Sequence, residues 1–425
     1  MREEDSNTTI KPLSSIILDL PPSCIEFSPE NRNYFVVGTY NLQKDEDTLK
    51  EKGDYLNEQQ DIEAHPSAPQ SRNGSLILFK IIEDKPALVQ TLSYHSAILD
   101  LHFSPHTPSI FAIASSTGSI STFKLTNDAQ PSIKHLKTHQ LFPQDTLVLS
   151  FAWHPTLPSI LSVTLSTGAV HVLKLHEELT DSIEFAPNDE PLITHSLEAW
   201  CSAFSPSSSL LNGKQQCALY SGGDDGHLNV ATFALNTPEN PIDKAEDDDM
   251  GDPFELRPAG LMRNTRPSHD AGLTAILPIP FRADDSKDIL ITGSYDDHVR
   301  ICAADPSQLL RGPTVLSKLY IGGGVWRLNF LEDYGPQEQN GDDLNLKILA
   351  SCMHAGARIL EVRHNKDWSI KVLGEVTDHK SMCYGSAVQP LRKNAGKGED
   401  EGRLCVSTSF YDRLLCIWRF NARSG

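Results

Sequence analysis

Residues 288–302 read Asp288-Ile-Leu-Ile-Thr-Gly-Ser-Tyr-Asp-Asp-His-Val-Arg-Ile-Cys302, and this stretch decides the fold. Its first part is an apolar run, and in its last part Val299 and Ile301 alternate with a charged residue, as in strands with a buried face. Between the two parts lie a glycine and the Asp296-Asp297 pair, whose side chains accept local backbone hydrogen bonds and favour turns. The stretch therefore predicts two antiparallel strands joined by a tight turn.

The hairpin pattern recurs six more times along the chain. The copies lie at 36–40 continuing at 73–79, and at 112–123, 161–173, 218–231, 348–361 and 404–418. Each is preceded by an apolar strand that in most copies ends in proline, at Cys24–Pro29, Leu99–Pro105, Leu149–Pro155, Trp200–Pro206, Leu273–Pro280, and more weakly at 325–330 and 382–390. Repeats of about 40 residues that each hold several strands predict a β-propeller. We predict an all-β, seven-bladed β-propeller that spans residues 1–425 as a single domain.

Both ends of the repeat array predict how the ring closes. The last repeat ends at Trp418-Arg-Phe420 after only three strands, and the apolar run Ile16-Ile-Leu18 precedes the first repeat. We predict that this N-terminal strand supplies the missing outer strand of the last blade, which would remove two unpaired edges. Two charged segments without apolar alternation, at about 44–72 and 236–268, are expected to be solvated loop insertions.

Composition narrows the class of partner. The chain carries 56 acidic and 37 basic residues, for a net charge of −19, which argues against nucleic-acid binding because that affinity comes from Lys and Arg. The eight cysteines include no Cys-x-x-Cys motif, so we expect free thiols and a reducing compartment. The sequence shows neither a signal peptide nor an apolar run long enough for a bilayer. We expect a cytoplasmic monomer without membrane insertion.

The last blade carries a bracing signature of WD repeats, so we predict a propeller of the WD-repeat type. The predicted hydrogen-bonded tetrad consists of His379, Thr408, Asp412 and Trp418. Blades four and five carry Ala231 and Cys302 where a WD repeat would place the tryptophan. His95 and His269 occupy the slot of His379 in their own blades, so a structural role is predicted for all three histidines.

Familiar catalytic motifs are missing from the sequence. It contains no Gly-x-Ser-x-Gly elbow, no His-Glu-x-x-His helix and no phosphate-binding loop, so neither a metal nor a cofactor is expected. One cluster nevertheless suggests a site, because positions before the hairpin turns and at the starts of inner strands should meet at one mouth of the channel. Its members are Trp200, Asp224, Asp270, Tyr295, Trp326, His354, Tyr384 and Tyr411. Aromatic faces with carboxylates suit a quaternary ammonium ligand, and a histidine can act as a general base. Ordinary blade packing is the alternative reading of this cluster.

Several segments carry a family resemblance. They are Tyr220-Ser-Gly-Gly-Asp-Asp-Gly-His-Leu228, His269-Asp-Ala-Gly-Leu-Thr-Ala-Ile276, Ile291-Thr-Gly-Ser-Tyr-Asp-Asp-His298, Gly322-Gly-Gly-Val-Trp-Arg-Leu328, Asp378-His-Lys-Ser-Met-Cys-Tyr-Gly385 and Ser409-Phe-Tyr-Asp-Arg-Leu414. Together they resemble the WD-repeat diphthine methyl ester hydrolases of diphthamide biosynthesis, long called diphthine methyltransferases. The resemblance spans about Ser23 to Phe420 and is strongest over blades four to seven. Ala231 and Cys302 depart from the generic repeat pattern but lie outside these segments.

The resemblance implies a carboxylic ester hydrolase that acts on translation elongation factor 2. Its substrate would be a modified histidine with a trimethylammonium group and a methyl ester, which is demethylated before the final amidation. We assign catalytic roles to His354 and Asp270, and substrate binding to Trp200, Asp224, Tyr295, Trp326, Tyr384 and Tyr411. A non-catalytic WD-repeat scaffold for complex assembly or trafficking is the alternative. A true methyltransferase is disfavoured because the sequence lacks a Gly-rich strand–turn–helix for S-adenosylmethionine.

Overall fold

A computed structural model describes residues 8–42, 72–175, 182–186, 190–206, 209–211, 214–236, 256–262, 267–282, 287–307, 312–331, 344–391 and 402–421. These residues contain strands and no helix, and the strands form seven largely antiparallel sheets. Each sheet is one blade, so the predicted all-β, seven-bladed propeller is confirmed. No helix among these residues is long and apolar enough to cross a membrane.

The first two strands of each blade come from the repeated apolar segments. The innermost strands, one per blade, are Pro22–Phe27, Ile98–Phe103, Val148–Trp153, Ala199–Phe204, Leu273–Arg282, Arg327–Phe330 and Cys383–Val388. The second strands are Tyr34–Thr39, Ile110–Ser115, Ile160–Leu165, Lys214–Gly223, Asp288–Ser294, Leu344–Ser351 and Arg403–Ser409.

The third and outer strands complete the blades. The third strands are Arg72–Ile82, Ser119–Leu125, Ala169–Leu175, Leu228–Asn236, His298–Ala304, Ala357–Asn365 and Leu414–Phe420. The outer strands of blades one to six are Lys85–Tyr94, Ile133–Gln140, Ile183–Ala186 with Ile193–Thr194, Leu256–Met262, Thr314–Tyr320 and Asp367–Val376. Short extra strands are Thr8–Thr9, Asn41–Leu42 and Ser209–Leu211.

The ring closes as the sequence predicts. Ser14–Ile17 pairs antiparallel with Leu414–Phe420 and is the outer strand of blade seven, with Ile16 opposite Leu415. The innermost strand of each blade contacts that of the next, and Cys383–Val388 contacts Pro22–Phe27. Thr8–Thr9 adds a parallel strand to the outer edge of blade six. The N-terminal segment therefore covers the edges of two neighbouring blades.

Among the described residues, seven clusters of buried apolar side chains hold the blades together, one at each interface between neighbours. Because strand side chains alternate between faces, Phe35 and Val37 pack towards blade seven while Val36 packs towards blade two. All eight cysteines are free and buried within this core, as the absence of paired spacing predicts.

The predicted bracing network of the last blade is present, with one residue corrected. Trp418 Nε1 donates to Ser407 Oγ at 3.0 Å, and Ser407 Oγ lies 2.7 Å from His379 Nε2. His379 Nδ1 lies 3.1 Å from Ser409 Oγ, which donates to Asp412 at 2.5 Å. The hydroxyl in the tetrad thus belongs to Ser407 and not to Thr408, because adjacent strand residues face opposite sides of the sheet.

Equivalent networks brace blades four and five. His269 Nε2 lies 2.9 Å from Thr292 Oγ1, so its predicted structural role is confirmed. His195, which the sequence analysis missed, bridges Ser221 at 2.9 Å and Asp225 at 3.0 Å. His95 is exposed and packs against Tyr94, so its predicted bracing role is wrong.

One of the two predicted loop insertions contains a strand. Residues 43–71, and residues 237–255 and 263–266, lie outside the described part of the chain. Within the second segment, however, Leu256–Met262 pairs with Leu228–Asn236 as the outer strand of blade four. The expectation that 236–268 is entirely a loop is therefore wrong for these seven residues.

Candidate functional site

Four of the predicted aromatic residues meet at one mouth of the central channel. The ring centroids of Trp200 and Trp326 lie 5.5 Å apart, and Tyr295 lies 6.2 Å from the first and 6.0 Å from the second. Tyr384 extends the group, with its ring 4.8 Å from that of Trp326. All four rings are half-buried. We call Trp200, Tyr295, Trp326 and Tyr384 the aromatic cluster.

Local backbone geometry brings these residues together. Trp200 and Tyr384 lie near the starts of their innermost strands, Trp326 immediately precedes one, and Tyr295 follows the second strand of blade five. Gly272 lets the neighbouring loop approach, because a Cβ there would lie 2.5 Å from Asp224 Oδ1 and 2.8 Å from Tyr295 Cδ2. A glycine at this position therefore makes room for the cluster.

Carboxylates lie beside the rings. Trp200 Nε1 donates to Asp224 Oδ1 at 3.1 Å, which orients the indole. Burial, and then the neighbouring Tyr384, Asp224 and Glu198 side chains, raise the pKa of Tyr295 well above its usual range. The Tyr295 hydroxyl therefore stays protonated, and the acidic groups favour a cation in front of the rings.

The cluster continues around the rim on residues that the sequence analysis did not single out. Phe410 lies 5.5 Å from Tyr384 and 5.1 Å from Tyr411, and Tyr40 of blade one lies 5.8 Å from Phe410. Tyr411 itself is 70% exposed. The predicted residue Tyr411 thus touches the aromatic cluster through Phe410 and forms its outer rim.

The two residues with predicted catalytic roles lie at the surface. His354 is exposed in the turn between the second and third strands of blade six, and no described residue hydrogen-bonds to its ring. Asp270 is also exposed and lies 3.6 Å from Arg300 and 3.4 Å from Lys318. No hydrogen bond or ion pair among the described residues joins Asp270 to His354 or to the aromatic cluster. Their catalytic roles stay predictions.

A charged cluster inside the channel was not predicted. Arg327, on the innermost strand of blade six, donates from Nη2 to Asp100 Oδ1 of blade two at 2.5 Å. His102 Nε2 lies 3.3 Å from Asp100, and His102 Nδ1 donates to Glu26 Oε2 of blade one at 2.8 Å. We call Glu26, Asp100, His102 and Arg327 the channel cluster. Blades two and six are not neighbours in the ring, so Arg327 reaches across the channel.

The charges of the channel cluster support one another. Burial opposes ionisation of His102, but Asp100 and Glu26 outweigh it and raise the pKa of His102 to about 10. Burial also opposes ionisation of Asp100, yet Arg327 and His102 hold its pKa far below the usual range. Asp100 also accepts backbone hydrogen bonds from Leu101 and Phe151. Asp100 and His102 are therefore both charged at neutral pH.

Two cavities border the channel cluster. One encloses about 330 Å³ and the other about 440 Å³, and both are lined by Glu26, His102, Arg327 and Asn329. Their walls run to prolines at the ends of the innermost strands, among them Pro29 and Pro155. The cavities thus extend towards the mouth opposite to the aromatic cluster, although Trp326 lines the larger one.

Fold and bracing networks together define a seven-bladed β-propeller of the WD-repeat type. Among solved structures, that of Sqt1 from Saccharomyces cerevisiae matches it with a TM-score of 0.54 at 13% sequence identity, covering 98% of this chain and 100% of Sqt1. That similarity shows the fold alone. No protein-family model matches the sequence.

Sequence comparison identifies the relatives. The chain is 25% identical to the diphthine methyltransferase of Schizosaccharomyces pombe, over 97% of this chain and 99% of the relative. It is 24% identical to that of Saccharomyces cerevisiae, over 96% and 97% respectively, and 26% identical to a diphthine methyltransferase homolog of Dictyostelium discoideum, over 94% and 97%. The chain is a homologue of these proteins over nearly its full length, which confirms the resemblance carried by the sequence motifs.

Proposed function

We propose that this protein acts in diphthamide biosynthesis as a diphthine methyl ester hydrolase. Its substrate would be the modified histidine of translation elongation factor 2, which it would demethylate before the final amidation. The full-length similarity to proteins named diphthine methyltransferase supports the pathway. The observation that carries the proposal is the aromatic cluster with Asp224, because this arrangement suits a trimethylammonium group.

Distances in the cluster fit such a ligand. The centroids of Trp200, Tyr295 and Trp326 form a triangle with sides of 5.5–6.2 Å. One cation above this triangle can lie within about 6 Å of all three rings, which is the range of cation–π attraction. Asp224 and Glu198 add negative charge beside Tyr295. Neither carboxylate forms an ion pair with a lysine or arginine among the described contacts. A methyl ester next to the trimethylammonium group would then lie at the channel mouth.

The hydrolysis itself needs a water molecule and a base. Water adds to the ester carbonyl, the bond to the methoxy group breaks, and the water proton ends on the departing methanol. We propose His354 as the base that takes this proton and passes it on, because it lies on the rim with its ring accessible. Asp270 is the second proposed catalytic residue, and its carboxylate would hold cationic groups near the rim. We expect the protein to act as a cytoplasmic monomer.

Incubation of the purified protein with elongation factor 2 that carries methylated diphthine tests the activity. We expect release of methanol and a mass loss of one methylene on the factor. A parallel reaction with unmethylated factor and S-adenosylmethionine tests methyl transfer, the activity for which the relatives are named. Methyl incorporation there, without methanol release in the first reaction, would refute the hydrolase. No turnover in either reaction, with stable binding to the factor, would favour a scaffold.

Variants separate the proposed roles. His354→Ala should lower turnover by about 10²–10⁴-fold while substrate still binds, since a lost general base has this effect. Trp326→Ala should weaken binding by roughly 0.5–2 kcal/mol through the lost cation–π contact. His379→Ala is the control. His379 is buried in the bracing network, so its loss should lower the melting temperature instead of acting on the chemical step. Parental turnover in His354→Ala would remove this histidine from the mechanism.

A further inference from the structure

Arg300, which is buried, and Arg327, which is half-buried, differ in how many hydrogen bonds their guanidinium groups make. Arg300 is held at both ends by Asp296, with Nη1 donating at 3.0 Å and Nη2 at 2.5 Å. Arg327 makes a single hydrogen bond, from Nη2 to Asp100. Its remaining N–H groups have no partner among the described residues, and its side chain keeps 23% of its surface exposed. Arg327 therefore presents unused donors to the channel.

Asp100 fixes Arg327 in this position but accepts only one of its guanidinium hydrogen bonds. The carboxylate is 1% exposed and already accepts from two backbone amides and from His102. It cannot turn to take a second guanidinium hydrogen bond without giving up one of these partners. Arg327 is thus held across the channel by one end, with the rest of its planar fork facing the two cavities that it lines. A guanidinium fork matches a carboxylate in geometry as well as charge.

We propose that the channel contains a binding site for a carboxyl group, anchored by Arg327. Cavities of about 330 and 440 Å³ are large enough for a small ligand. One source of the carboxyl group is the modified histidine itself, whose ester oxygen, and later its carboxylate product, would reach Arg327 beside Trp326. This source rests on the proposed function. The other source is a separate small carboxylate that enters from the mouth opposite to the aromatic cluster.

Three probes distinguish these sources in calorimetric titrations at constant ionic strength. Acetate presents the carboxylate alone, tetramethylammonium presents the cation alone, and trimethylglycine presents both groups on one carbon. We expect acetate to bind the parent protein. Tighter binding of trimethylglycine than of either single-group probe supports the site and assigns its ligand to the modified histidine. Equal binding of trimethylglycine and acetate supports the site and assigns it to a separate carboxylate.

Variants then test the anchor. Arg327→Lys keeps a positive charge opposite Asp100 but loses the fork, and it should weaken acetate binding roughly tenfold or more. Because this change can destabilise the channel, the double variant Arg327→Gln, Asp100→Asn removes both charges together and should abolish acetate binding in folded protein. Tetramethylammonium binding should not change in either variant. Arg300→Lys is the matched control and should leave acetate binding unchanged.

The proposal fails if acetate does not bind the parent protein, or if the folded double variant binds it as tightly as the parent. Methanol release from methylated elongation factor 2, measured on the same preparations, keeps the two proposals apart. Release by the parent with unaltered acetate binding in the double variant would refute the channel site alone. Arg327-dependent acetate binding without any release would refute the hydrolase alone.

Discussion

His102 and His379 are histidines of one fold that end in opposite charge states. His102 lies between two carboxylates in the channel cluster, and these raise its pKa to about 10. His379 lies between two serine hydroxyls in the bracing network, and burial lowers its pKa to about 4 despite the nearby Asp412 and Asp378. The channel therefore holds an ion and the blade holds a neutral ring. The partner within hydrogen-bond distance decides the charge, because two carboxylates favour the imidazolium of His102, which is 34% exposed, whereas hydroxyl partners leave the buried His379 ring neutral.

The two networks also differ in whether their hydrogen-bonding groups are all satisfied. In the bracing network, Ser409 gives its proton to Asp412, so its oxygen accepts from His379 Nδ1, and Ser407 donates to Nε2. Both ring nitrogens are thus satisfied within one blade. In the channel cluster, by contrast, Arg327 keeps donors that no described residue accepts. The first arrangement stabilises a blade, whereas the second faces a cavity.

The largest expected effect is loss of the carboxylate at the centre of the channel cluster. Asp100→Ala should lower the free energy of unfolding by up to about 3–5 kcal/mol, because it leaves Arg327 without its buried counter-ion and His102 with Glu26 as its remaining carboxylate partner. Urea unfolding of the parent and variant measures this change.

Asp270→Ala is the matched control for that substitution. Asp270 also pairs with an arginine, but it is 80% exposed, and Arg300 keeps its contacts to Asp296. Removal of an exposed ion pair should cost about 0–1 kcal/mol. Equal losses in the two variants would mean that the channel cluster contributes no more than a surface pair.

An intermediate effect is expected in the bracing network. Ser407→Ala should cost about 1–3 kcal/mol, because it leaves the Trp418 indole N–H and His379 Nε2 unpaired in a buried site. Thr408→Val, at the next residue, removes only one hydroxyl with a long 3.4 Å bond to Gly385 O and should cost less than about 1 kcal/mol. Thermal unfolding of both variants measures the difference. A larger loss in Thr408→Val would restore the tetrad that the sequence predicted.

A further expected effect is a dependence of stability on pH. The folded-state pKa of His102, about 10, exceeds its ordinary value of 6.5, so its contribution is complete below pH 6.5 and is lost as the pH rises towards 10. The folded-state pKa of His379, about 4, lies below 6.5, so its contribution is present above pH 6.5 and is lost as the pH falls towards 4.

Unfolding curves between pH 4 and 10 test these opposite windows. His102→Gln should flatten the alkaline limb of the stability profile, and His379→Gln should flatten the acid limb. If each variant altered the other limb instead, the two charge states assigned above would be reversed.

Much of the fold could be predicted because each blade repeats a local pattern. Period-two alternation and the turn residues of 288–302 locate the hairpins, and a last repeat short of one strand identifies the closing strand. Errors arose where one position decides the face of a strand. The choice of Thr408 instead of Ser407 is such an error, since neighbouring residues point to opposite sides.

One part of the candidate site could also be predicted from the sequence, and the other part could not. The aromatic cluster was predictable because its residues lie at the starts of innermost strands or after a second strand, and a propeller brings both kinds of position to one mouth. The channel cluster was not, although Glu26, Asp100, His102 and Arg327 stand out as charges within apolar strands. Arg327 meets Asp100 across the ring, 227 residues away, and no local pattern encodes which strands face each other over the channel.

Pairing of Ser14–Ile17 with Leu414–Phe420 also sets the order in which the molecule can be completed during its synthesis. The two strands lie about 400 residues apart, and domains begin to fold as the chain emerges at about 5–20 residues per second. The earliest strand therefore waits roughly 20–80 s for its partner, and all seven blades must leave the ribosome before the ring can shut. A chain cut short before Leu414 lacks the strand onto which its own beginning must fold.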